Sequence, residues 1–201
     1  MIWESVFWKD DLLRRARELR RRKKQRRWPE ASLACLEQLT MVGFYSVRKL
    51  IEAHKLSCTT VRREIPIHRY PPTGKPVTLL NWHKLEALYD LDRREPSSLA
   101  LPLLCHQFVH SYVFTSIFGR VDNLKGFLLA SDRQRTRALL EVDVDEVIRT
   151  FELVGRDYPA DGRWILNPKT GDYDVTDSSL ASVRQSNRLQ RTSAAAAMAR
   201  S

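Results

Sequence analysis

Residues 126–153, GFLLASDRQRTRALLEVDVDEVIRTFEL, decide the fold class of this chain. Residues 126–130 and 138–144 are apolar runs of strand length. Residues 145–153 read as a helix, with Asp145 and Glu146 placed to favour its positive end. Strands followed directly by a helix predict an α+β fold in which a small, mainly antiparallel sheet carries packed helices.

Downstream, residues 164–166 and 173–175 flank Pro168-Lys169-Thr170-Gly171 and predict a terminal hairpin. From residue 178 onward Ser, Arg, Gln and Ala dominate, which predicts a frayed basic tail over 178–201.

Upstream, residues 112–118 suit a helix end or a strand, and 99–110 predict a largely buried helix. Residues 92–98 form a polar linker. Asn81 can cap a helix running through about residue 91. Residues 65–70 and 76–80 surround a Pro/Gly turn and predict a hairpin, whose first strand Pro66 confines to an edge. Short helices are expected over 30–40, 46–54 and 59–64, with Gly43 interrupting the first two. Three regions follow: a basic helical one over 1–91, a mixed α/β body over 92–177 that shares its core, and the tail.

The N-terminal segment 5–27 predicts one long helix capped by Ser5. Trp8, Leu12, Ala16 and Leu19 form a single apolar stripe, which stops where the charge begins. Residues 20–27, RRRKKQRR, place seven basic groups in eight positions, too many for one helical face. The first half of this helix is expected to dock and the second to project charge in all directions, up to the breaker Trp28-Pro29.

The whole chain of 201 residues carries a formal net charge of +10. Residues 1–28 hold 11 basic against 4 acidic groups, and residues 29–80 hold 7 against 4. Residues 81–180 reverse the sign, with 12 against 16. A field concentrated at one end suits a nucleic-acid backbone, an acidic protein surface or a larger nucleoprotein complex.

Helix 46–54, helix 59–64 and the 65–80 hairpin follow the order of a winged helix-turn-helix. That arrangement assigns Thr59, Thr60, Arg62 and Arg63 to a groove-reading helix, and Arg69 and Lys75 to the wing. Arg20, Arg21, Arg22, Lys23, Lys24, Arg26 and Arg27 complete the expected nucleic-acid contacts.

Enzymatic signatures are sparse. His106 and His110 lie four apart and could share a metal, but CHQFVH lacks the glutamate of HExxH. Glu141, Asp143 and Asp145 alternate along a strand and could hold Mg²⁺ for phosphodiester hydrolysis, with Asp172 and Asp174 as distant supplements. No GxGxxG, Walker loop, GxSxG or kinase set occurs. The reading from sequence is therefore a non-enzymatic accessory or adaptor protein without cofactor, metal or catalytic residues. A winged-helix regulator and a metal-dependent nuclease or phosphodiesterase are the alternatives.

Cys35, Cys58 and Cys105 include no CxxC pair, so reduced, mostly buried thiols are expected. The start MIWESVFWKDDLL lacks a signal peptide's apolar core. The apolar segment 99–118 is broken by Pro102, His106, Gln107, His110, Ser111 and Ser116, which excludes a membrane span there. Cytoplasmic residence is the resulting expectation.

Overall fold

In a computed structural model that describes residues 2–159 and 162–177, two long helices precede the sheet. They are α1 (Val6–Lys23) and α2 (Glu30–Glu52), followed by the single turn α3 (Cys58–Val61). Next come β1 (Glu64–Tyr70), the short α4 (Leu85–Leu88), β2 (Glu95–Ala100) and α5 (Leu101–Val109). The remainder is β3 (Ser111–Phe118), β4 (Leu124–Ser131), β5 (Leu139–Asp143), α6 (Val144–Gly155) and the hairpin β6 (Gly162–Asn167) with β7 (Asp172–Asp177).

Five strands form one antiparallel sheet in the order β2-β1-β5-β4-β3, and β6 pairs β7 separately. The α+β class and the packed helices match what the sequence implies. Strand alternation sorts side chains between two faces. Ile65, Ile67, Leu140, Val142, Phe127 and Leu129 join the core beneath the helices. Tyr70, Leu139, Ala130 and Val113 point the other way, where Val77, Leu88 and Tyr89 cover them.

Aromatic packing ties the helices to the sheet. Phe44 of α2 stacks on Phe108 of α5 at 4.0 Å between ring centres and tilts against Phe151 of α6 at 5.1 Å. Phe108 meets Phe127 of β4 edge-on at 6.3 Å. Such pairs add about 0.5–1.5 kcal/mol each beyond the area they bury. Leu12, Ala16 and Leu19 of α1 are fully buried, so the expected stripe is the docking face.

Several local expectations are corrected. Helix α2 is continuous through Gly43, because that glycine admits the Phe151 ring rather than breaking the chain. Residues 76–80 form no strand and no wing. Strand β1 pairs instead with β2 and β5, and Thr73 N–H donates to Leu88 O across the covering segment. Pro66 is tolerated in an inner strand because pairing with β5 covers only His68 to Tyr70.

Asn81 caps a turn, accepting from Thr78 N–H and donating to Pro76 O, and the helix expected through residue 91 shrinks to α4. The polar linker and the start of the expected 99–110 helix are strand β2, whose pairing with β1 runs to Ala100. Ser5 makes no capping hydrogen bond. Of the three cysteines only Cys105 is buried, and burial pushes its thiol pKa up. The tail expected over 178–201 lies outside the described residues.

Candidate nucleic-acid interface

The basic run divides where α1 ends. Helix α1 stops at Lys23, and Gln25 fixes the chain beyond it by donating to Arg27 O at 2.5 Å and to Ser32 Oγ at 3.0 Å. Charge does not project in all directions from the helical part. Arg20 forms a two-pronged pair with Glu152 at 2.6 and 3.0 Å. Lys23 reaches Asp145 at 2.5 Å, and Arg21 and Arg22 both hold Glu18 at 2.7 Å. Hydrogen bonding from Arg21, aided by Arg22, keeps the Glu18 carboxyl below its usual pKa. Four cations thus face three acids.

The second part differs. Lys24, Arg26 and Arg27 are exposed and make no ion pair among the described residues. Trp28 then anchors the linker across the fold. Its indole N–H donates to Asp122 O at 2.6 Å, and its ring tilts on Phe118 at 4.9 Å. This seats the linker on the turn joining β3 to β4.

That turn carries Arg120 and Lys125, both exposed and likewise without an ion pair among the described residues. Gly119 gives the Lys125 stem its path, since a Cβ there would stand 2.7 Å from Lys125 Cε. Asp122 at the turn tip is a carboxylate of the same segment. Sequence reading missed Arg120 and Lys125 because only the Trp28 anchor joins them to the linker.

The residues assigned to a winged helix disperse. Thr60 is buried, with its N–H bonded to Ser57 Oγ, whereas Thr59 is exposed. Arg62 and Arg63 are exposed at the start of β1. Arg69 pairs with Glu95 at 2.9 Å near the strand's other end, and Lys75 lies beyond it. A seven-residue strand separates the two groups by about 20 Å.

The histidine pair is electropositive. The His106 and His110 rings lie 4.7 Å apart, and Arg48 Nη1 meets His110 Nε2 at 2.8 Å. Burial lowers the His106 pKa, and His110, Arg48 and Arg133 add to the effect. Among the described residues no group of three or more His, Cys, Asp or Glu side chains could hold a metal.

The depressed pKa fixes a pH dependence. The unfolded chain takes up this proton first as pH falls below the ordinary histidine value, near 6.5. Stability held above that pH is therefore lost progressively towards the lower folded-state pKa, and no further below it. Urea midpoints from pH 7.5 to 5 should fall less for His106→Gln than for the parent. Equal slopes would show that His106 is not linked to folding.

Glu141 and Asp143 do not meet the histidines. Glu141 lies on the opposite sheet face, opposite His68, where Arg94 binds it at 2.7 and 3.0 Å and Tyr70 donates its hydroxyl. Burial raises the Glu141 pKa, but hydrogen bonds from Arg94 and Tyr70 outweigh it and leave the carboxyl below its usual value. Burial first, then Glu141, push the Tyr70 hydroxyl up to about 12. Asp143 caps α6, accepting from Asp145 N–H at 2.7 Å, and Glu146 pairs with Arg149. Asp172 and Asp174 sit on the β6–β7 hairpin, where Asp174 accepts from Asn167.

The chain is thus an α+β protein in which Trp28 joins a linker bearing Lys24, Arg26 and Arg27 to a turn flanked by Arg120 and Lys125. No protein-family model, curated protein or solved structure matches it. No helix among the described residues is long and apolar enough to cross a membrane.

Proposed function

We propose that this protein is a non-enzymatic, cytoplasmic accessory or adaptor that docks onto nucleic acid or a nucleic-acid-bound assembly. Lys24, Arg26, Arg27, Arg120 and Lys125 form the contact. The observation that carries this reading is the Trp28 anchor, which joins two distant segments bearing five exposed cations that form no ion pair among the described residues. A patch of this kind neutralises phosphates and releases their counterions without reading bases.

A salt titration of the full chain against duplex DNA, single-stranded DNA and RNA tests the reading. Binding to a duplex should weaken linearly on logarithmic axes with a slope of about −4 to −5, as five phosphate contacts require. Undetectable binding to all three nucleic acids at low salt would leave an acidic protein as the partner and overturn the proposal.

A further inference from the structure

Between the end of α2, α3 and the terminal hairpin lies a cleft of about 430 Å³. This is within the range of small-molecule sites. Ile51, Leu56, Val61, Trp164 and Val175 supply apolar walls, and Arg62 supplies a cation, with His54 also in the lining. Among the described residues, no acidic side chain lines it.

Three features distinguish the cleft from an ordinary surface fold. The register of the hairpin places Trp164 opposite Val175 and Leu166 opposite Tyr173, all on one face. Trp164, Leu166 and Tyr173 nevertheless remain more than half exposed. An isolated two-stranded hairpin has little stability of its own, so such a face gains by apolar cover.

His54 provides the second feature. It closes α2 in the left-handed region, with φ of 54°, a position that favours glycine. Its N–H donates to Ile51 O, and Lys55 N–H donates to Leu50 O, so these two carbonyls of the helix end are already engaged. The His54 ring stands edge-on to Trp164 at 6.2 Å. Arg62 is the third feature: it is exposed at the cleft and forms no ion pair among the described residues.

We infer that the cleft binds a small organic anion with an apolar body, a medium-chain carboxylate or phosphate monoester. The chain packs between Trp164 and Ile51, and the anionic head pairs with Arg62. A guanidinium with no ion pair among the described residues, at the mouth of an apolar cavity, selects this ligand over neutral or cationic ones. The site is separate from the linker patch, so either can fail alone.

Calorimetric titration of the full chain with decanoate, decyl phosphate and decanol tests the assignment. Saturable one-to-one binding of at least one anion is expected, about tenfold or more tighter than decanol; the two anions identify the headgroup. Arg62→Gln should weaken anion binding about tenfold or more and leave decanol unchanged, whereas Arg63→Gln, which lies outside the cleft lining, should bind as the parent does. Octanoate should bind about tenfold more weakly than decanoate if that carboxylate binds, as two fewer buried methylenes require. Absence of saturable binding by both anions, or equal anion affinity in Arg62→Gln, overturns the inference.

Discussion

Gly43→Ala is expected to destabilise the protein by about 2 kcal/mol, although alanine is the better helix former. In an exposed helix interior the same change would stabilise by up to about 1 kcal/mol. Here a Cβ would stand 2.6 Å from Phe151 Cε2 and closer still to Cζ. Phe151 cannot retreat easily, because it is fully buried and packed on Phe44, which is itself stacked on Phe108. Overpacking in a dense interior forces backbone shifts or poor rotamers. Thermal unfolding should shift downward by about 4–8 °C for a chain of this size.

A compensating cavity provides the internal check. Phe151→Leu alone removes ring volume from the core and should itself destabilise. Combined with Gly43→Ala, it vacates the space into which the new methyl projects, so the double variant should be more stable than the sum of the two losses predicts. A higher melting temperature for Gly43→Ala alone would mean that helix propensity governs this position, and that α2 and α6 are not in close approach there.

The same contact explains what the sequence could and could not disclose. Strands β4 and β5 are legible because their apolar runs are local, and helix α6 because Asp145 and Glu146 mark its start. Gly43 reads as an interruption from its neighbours alone; its purpose is set by Phe151, more than 100 residues later. The partner of β1 was misplaced for a related reason. The turn at Pro71-Pro72-Thr73-Gly74 invites local pairing, but the nearby apolar residues Val77, Leu88 and Tyr89 are spent covering the sheet face, and β1 waits for β2 and β5.

The candidate interface was half legible on the same grounds. Composition alone reveals residues 20–27 as basic, but not that Glu152 and Asp145 answer Arg20 and Lys23 from α6. Trp28 reads as a chain breaker beside Pro29. Only its hydrogen bond to Asp122 gives it the task of joining Arg120 and Lys125 to the linker. A local motif could not have carried that information, because the two segments are about 90 residues apart.

This division of the basic run leads to the largest expected effect. Replacing Lys24, Arg26, Arg27, Arg120 and Lys125 together with glutamine should lower duplex DNA affinity by about 10³–10⁴-fold near 0.1 M salt and flatten the salt slope by about 4. Replacing Arg20, Arg21, Arg22 and Lys23 instead should change the slope by only about 1, since three of those four charges are locally answered. Stability should follow the reverse order. The second set gives up its pairs with Glu152 and Asp145, at about 0.2–1 kcal/mol each for exposed pairs, together with its hold on Glu18. The first set loses no ion pair among the described residues, and each exposed substitution should stay within about 0.5 kcal/mol. If the helix set proved the more damaging to binding, the phosphate-facing surface would lie along α1, and the Trp28-anchored patch would be only a solubilising edge of the fold.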